Sequence, residues 1–383
     1  MDDTKRDAAV SPPVSAALDL VRLALALTVA WSHWTQPFFQ DGRPDLSRLG
    51  IAAVGGFFVL SGFTIRMIDR GGDRFNAPRY FADRLSRLWS VALPALLFTC
   101  ALDWASHAVA PDFYDAGWGH RTTVPAVRVL FNALFLTQFW GFDIMPFSNS
   151  PFWSLGYEAG FYLLYGLYRS RRYAWLTVAA LLLGPNILVL FPAWLGGAAL
   201  YDLCFRTKRR GLLIAVCAVA FTAAAALLTA CLRSDFTTST QTAINDFFEA
   251  IGVEQRRVDG TLVLSSLVAL FGFASVFGML RLSADGMRIP APVLRGARAL
   301  GEATFPLYLM HFPLFVFVAA LGFYDRASTV QGIGVFAAAV VGLGCTPPLA
   351  NRVKRWLRPR LLRLFESLGS GRHATAPAAS SGI

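Results

Sequence analysis

Two side chains in the first apolar run set the chemical question. The stretch 18–34, LDLVRLALALTVAWSHW, is apolar enough to enter a bilayer, yet it carries Asp19, Arg22 and His33. Arg22 and His33 lie eleven positions apart. On a helix that is about 1100°, or ~20° past three full turns, so both side chains share one stripe, roughly 16 Å apart along the axis. Asp19, one turn before Arg22, is placed to pair with it. A cation at the centre of a span costs about 2.5–3.5 kcal/mol on insertion scales and is a functional candidate by default. The bland alternative is an arginine that snorkels or pairs with Asp19, with the histidine at the interface. The shared stripe favours a polar cavity between helices. A histidine with its ordinary pKa of about 6.5 suits the work of a base at such a cavity.

Four further segments carry chemistry. AAVGGFFVLSGFTI (52–65) holds Ser61 among Gly55, Gly56 and Gly62, whose small size permits close helix contact. YFADRLSRLWS (80–90) puts Arg84 and Arg87 on one helix face, where two guanidiniums can hold phosphates; ordinary positive-inside residues are the alternative. PFWSLGYEAGFYLL (151–164) carries Glu158 one to two turns inside an apolar run, where a carboxylate needs a partner and is expected to line the cavity. Trp153 and Tyr157 beside it fit an interfacial aromatic belt. LGEATFPLYLMHFPLFVF (300–317) places His311 near the bilayer midplane, with Tyr308 on the same face, and Pro306 and Pro313 to bend the helix or free carbonyls. His107, His120 and His373 receive no role. The five cysteines show no metal-ligand spacing and read as small buried hydrophobes; no metal site is expected.

The elements that must position these groups follow from composition. Of 383 residues, 55% are hydrophobic and only 15% charged, and the mean hydropathy is +0.49. A soluble domain usually has about 25% charged residues, so the chain reads as an all-α, polytopic membrane bundle. The net charge of +11 does not signal nucleic acid, because the basic residues sit between apolar runs, where they set topology. Spans are expected at about 16–36, 50–68, 88–108, 152–168, 173–187, 188–205, 211–231, 261–281, 302–321 and 330–350. The apolar piece 125–142 is read as re-entrant or interfacial. That assignment leaves 26 Lys/Arg in cytoplasmic segments, eight in outer ones and Arg22 within a span. Both termini are then cytoplasmic, and the first run acts as an uncleaved anchor. The expected layout is an N-terminal segment 1–15, a membrane domain 16–350, and a basic tail 351–383, disordered after Glu366. The large outer segments are 109–151 and 232–260. There is no repeat of fixed period and no appended soluble domain.

Five motifs in order resemble the acyltransferase-3 family of integral-membrane O-acyltransferases: the Arg22–His33 spacing, FFVLSGF (57–63), RLSR (84–87), WSLGYE (153–158) and LYLMHFPL (307–314). The resemblance covers about 15–350. It implies transfer of an acyl group, often acetyl, from cytoplasmic acyl-CoA to a hydroxyl of a surface or secreted carbohydrate, in a bacterial inner membrane. The sequence departs from the family's pattern at Gly55, where an acid often stands, and at Ala159, in place of the second acid of a Glu-Glu pair. The expected catalytic residues are His33, Arg22 and Glu158. Arg84 and Arg87 are expected to receive the coenzyme phosphates, and Ser61, Trp153, Tyr308 and His311 to contact substrate. Whether His33 is a base or is itself acylated stays open, and so do the oxyanion donors, with Arg22, Ser61 and Tyr308 as candidates. The rival reading is a transporter or flippase for a sugar-containing or small polar solute, which explains intramembrane charge equally well but often brings inverted repeats.

Overall fold

The structure is a computed structural model that describes residues 11–69, 75–119, 123–207, 209–231, 233–253, 258–283 and 287–370. The expected N-terminal segment, apart from 11–15, and the polar tail beyond 370 lie outside the described residues, as do His120 and His373. Thirteen helices of nine or more residues, with a few short helical turns between them, make up the regular structure among them. In chain order these are α1 (Pro12–Trp34), α2 (Ser47–Asp69), α3 (Ala77–Val109), α4 (Pro125–Ala133), α5 (Trp153–Arg169), α6 (Tyr173–Leu183), α7 (Phe191–Arg206), α8 (Arg210–Cys231), α9 (Ser234–Ala250), α10 (Gly260–Ser283), α11 (Ala291–Leu321), α12 (Thr329–Gly344) and α13 (Pro347–Ser370).

Eight helical stretches are long and apolar enough to cross a bilayer, against the ten spans expected. Two of the eight, Pro185–Arg206 and Thr329–Leu368, join consecutive helices; the two expected spans not among them are α5, whose 17 residues are at the lower limit of a span, and α6, with 11. At 1.5 Å per residue α6 reaches only about 16 Å, half a hydrocarbon core. Helix α4 has nine residues and is likewise too short to cross, in line with its exclusion from the spans. The outer faces expose Leu97, Trp104, Val219, Phe221, Val330 and Val341, as a lipid solvent demands. The tail departs from expectation: it is helical to Ser370 rather than disordered after Glu366. Its six Lys/Arg keep α13 out of hydrocarbon.

Helices α1, α2, α3 and α11 form the centre. Helix α1 packs between α2 and α11, α3 against α11 and α13, and α2 against α7 and α10. Backbones touch where α2 meets α7: a Cβ on Gly62 would lie 1.9 Å from the Trp194 carbonyl oxygen, and one on Gly197 2.0 Å from that of Val59. No larger residue fits at either position without parting the helices.

The two ends of the bundle are held differently. At the end bearing the basic links, Asp69 accepts from Arg169 Nε (2.7 Å), Tyr165 Oη (2.6 Å) and Arg66 Nη1 (3.3 Å), while Arg66 Nε also reaches Asp202 (2.8 Å), so α2, α5 and α7 are tied by charge. At the opposite end the loop after α4 is held by buried polar groups. Asp103 of α3 accepts from Ser148 N (2.8 Å) and Oγ (2.6 Å), and Asn149 Nδ2 donates to Thr99 Oγ1 (2.8 Å) and to the Leu309 carbonyl (2.9 Å). The last bond has a covalent cause. Pro313 has no N–H to give the carbonyl four residues back, so Leu309 is left an acceptor and Asn149 fills it.

Candidate active site

A cavity of about 830 Å³, its open mouth included, lies inside the central helices, lined among others by Arg22, Ser61, Arg84, Arg87, Glu158 and Tyr308. Six of the nine residues singled out from sequence therefore line one space. Each is put there by helical register. Arg22 points off α1 into the bundle, where Nη1 donates to Asp19 Oδ1 (3.0 Å) and Nη2 to Thr64 Oγ1 of α2 (2.6 Å). Thr64 in turn donates to Leu60 O, so its lone pairs are turned to the guanidinium. The expected Asp19 pair is present, yet Arg22 does not snorkel away.

One turn further along α2, Ser61 Oγ donates to Glu158 Oε1 (3.2 Å), and Tyr162 Oη, one turn beyond Glu158 on α5, donates to the same oxygen. Two hydroxyls thus fix the carboxylate while leaving its other oxygen to the cavity. Deeper still, Tyr308 of α11 closes the far wall. Its hydroxyl meets Ser154 Oγ (2.8 Å), and its ring packs edge-on against Phe57 (centroids 5.5 Å apart). Thr64, Tyr162 and Ser154 were missed from sequence, although each follows from a chosen residue: Thr64 and Tyr162 lie one turn after Ser61 and Glu158, and Ser154 opens the WSLGYE motif.

Three expected site residues are not on the cavity wall. Trp153 is buried against Phe58 (6.3 Å) and Tyr157 (5.4 Å) in the apolar core behind it. Tyr157 is also fully buried, so the aromatic belt assigned to this pair is overturned: neither ring reaches an interface. His33 and His311 sit together just past Tyr308, with ring centroids 5.3 Å apart and planes 30° apart. Phe312 packs edge-on against His33 (5.0 Å), and Trp118, from the loop after α3, covers Phe312 (6.2 Å).

The two imidazoles differ in their bonding. His311 Nδ1 lies 3.0 Å from the Leu307 carbonyl oxygen, which can only accept, so Nδ1 carries the hydrogen. Its Nε2 is then a lone pair, and this atom is buried without a hydrogen-bond partner, on a residue with no exposed surface. His33 Nδ1 is 3.2 Å from Gln36 Nε2, an amide that donates to it. The departure at Gly55 is also accounted for. A side chain there would meet Ser266 Oγ at 2.8 Å and Ser265 Oγ at 2.9 Å, so α10 occupies the space an acid would need. Among the described residues no group of three or more His, Cys, Asp or Glu is placed to hold a metal.

The cavity thus holds a guanidinium deep in an apolar helix and a carboxylate fixed by two hydroxyls, and a pair of imidazoles lies beyond Tyr308. A family model described as an acyltransferase domain matches residues 15–346. The chain belongs to the acyltransferase-3 family. No curated protein matches the chain, and no solved structure does. The protein is thus a multi-pass integral membrane acyltransferase, and the match spans α1 through α12 and ends one residue before α13.

Proposed function

We propose that this acyltransferase moves an acyl group, acetyl in the simplest case, from acyl-CoA to a hydroxyl of a carbohydrate acceptor. The donor enters at the end bearing Arg84 and Arg87, and its pantetheine arm runs past Arg22 toward Tyr308. The acceptor approaches from the opposite end, where the histidines stand. The observation that carries this reading is the cavity itself, with Arg22, Arg84 and Arg87 on its wall and paired imidazoles beyond Tyr308. The basic links gathered at one end support a bacterial inner-membrane protein with both termini cytoplasmic.

In the reaction the acceptor oxygen attacks the thioester carbonyl carbon and an oxyanion forms. The carbon–sulfur bond then breaks, giving an ester and the coenzyme thiol. The hydroxyl proton must leave as the oxygen attacks and must reach the departing sulfur. His33 lies nearest the acceptor's route and takes that proton in this reading. His311, whose ring lies 5.3 Å from that of His33 and 6.4 Å from that of Tyr308 and whose Nε2 is unpartnered, passes the proton on in this reading. Arg22 spends N–H groups on Asp19 and Thr64 but has five, and those left over, with the Tyr308 hydroxyl, are the oxyanion donors nearest the thioester. Glu158, held by Ser61 and Tyr162, binds polar groups of substrate in the cavity.

Purified protein incubated with labelled acetyl-CoA and a panel of carbohydrate acceptors tests the reading. Label recovered in an ester on the acceptor supports it. Movement of a solute across the membrane with no covalent change would favour the transporter instead.

A further inference from the structure

Helix α13 begins beyond the matched family domain, yet it packs along α3, the helix that carries Arg84 and Arg87. Its register on α3 is fixed at several points. Phe365 packs on Phe81 (6.0 Å), Arg358 is bonded to Asp83, and Asn351 Nδ2 donates to Glu302 of α11 (3.2 Å). As numbers fall along α13 they rise along α3, so the helices run antiparallel. Lys354, one turn before Arg358, is therefore carried from the level of Asp83 to that of Arg84 and Arg87. It is close enough for their charges to act on it: burial, then Arg87 and Arg84, push its ammonium below the ordinary lysine range.

Charge at this corner does not balance. Asp83 is taken by Arg358. No carboxylate among the described residues pairs with Arg84, Arg87 or Lys354, and Arg84 Nε is buried with no hydrogen-bond partner. Asp83 is the one carboxylate whose charge acts on Lys354, set against Arg87, Arg84 and Arg358, so cations outnumber it and a bound anion would relieve their repulsion.

We propose that α13 is part of the donor site, and that Lys354 joins Arg84 and Arg87 in binding the phosphate groups of the acyl donor. This rests on the reading of the donor as a coenzyme A thioester. Lys354 supplies a point charge at the rim, while the two guanidiniums, on the cavity wall, supply directed bonds. Phosphate is also the chemistry of lipid headgroups, and the test separates the two.

Full-length protein in nanodiscs of phosphatidylcholine is titrated with coenzyme A, for wild type and for Lys354→Met, Lys354→Arg and Arg355→Gln. Arg355 is exposed on the same helix and controls for net charge. Expected results are about tenfold weaker binding for Lys354→Met, recovery to within about threefold for Lys354→Arg, and wild-type affinity for Arg355→Gln. Unchanged affinity in Lys354→Met overturns the proposal and is what a lipid-headgroup site predicts. Equal weakening by Arg355→Gln overturns it too, since the effect is then one of bulk charge. A wild type that takes up no coenzyme A refutes the donor reading itself. Thermal melts run alongside separate lost binding from lost folding, and the Lys354→Arg protein keeps the test open if Lys354→Met folds poorly.

Discussion

Replacing His311 probes the step between the cavity and His33. Its ring fills the space between Tyr308 (centroids 6.4 Å) and His33 (5.3 Å), and Nε2 offers the one lone pair there that no donor among the described residues takes. General acid–base catalysis by one positioned group contributes about 10²–10⁴ in rate, roughly 3–5 kcal/mol at the transition state. His311→Gln keeps most of the volume and can still donate to Leu307 O, but has no basic lone pair. His311→Ala leaves a ring-sized hole and costs about 2–4 kcal/mol of stability by truncation of a fully buried side chain. The assay is thiol release from acetyl-CoA in the presence of an acceptor that wild type uses, with and without added imidazole. Both variants are expected to lose 10²–10⁴ in kcat, with KM for acetyl-CoA unchanged because the phosphates lie at the opposite end. Imidazole is expected to restore His311→Ala and not His311→Gln, which no purely structural role explains. Wild-type kcat in a well-folded His311→Gln protein would refute the relay.

Other substitutions have distinct expected outcomes. His33→Ala is expected to abolish transfer while acyl-CoA binding, measured by titration, stays at wild-type strength. Glu158→Gln keeps the shape but weakens the Tyr162 and Ser61 bonds, and KM for the acceptor or donor is expected to rise tenfold or more; Tyr162→Phe, which leaves the carboxylate its Ser61 bond, is expected to do less. Asp69→Ala removes the carboxylate shared by Arg169, Tyr165 and Arg66; breaking a buried charge pair costs about 3–5 kcal/mol, so the melting temperature in detergent should fall clearly. Gly62→Ala forces a Cβ to within 1.9 Å of the Trp194 oxygen, and overpacking costs about 1–3 kcal/mol, read as lower thermal stability and poorer monodispersity on gel filtration.

The sequence was readable where one helix decides the outcome. Arg22 and His33 share a stripe because eleven residues nearly close three turns, and Arg84 with Arg87, Glu158, Ser61 and Tyr308 line one cavity because each lies on a single well-patterned helix face. What needed the assembled bundle was less visible. Tryptophan and tyrosine suit both a membrane interface and a packed core, and only the neighbours Phe58 and Phe161 decide that Trp153 and Tyr157 are core. Hydropathy does not register helix length: α6 is apolar throughout and stops after 11 residues. Asn149 looked like loop, since its role depends on a carbonyl freed by Pro313 on a helix 160 residues later. Lys354 looked like one more positive-inside charge, because its place beside Arg84 and Arg87 depends on how α13 lies along α3.

A donor that enters from one end and an acceptor that enters from the other are the core of the proposed mechanism, and sided proteoliposomes test this most directly. Labelled acetyl-CoA is supplied on the face bearing Arg84 and Arg87, and carbohydrate acceptor only on the face bearing the loop after α4. The account predicts ester-linked label on acceptor that has never crossed the membrane, and none with His33→Ala protein. Label that appears only when donor and acceptor share one compartment, or acceptor that crosses unmodified, would contradict it.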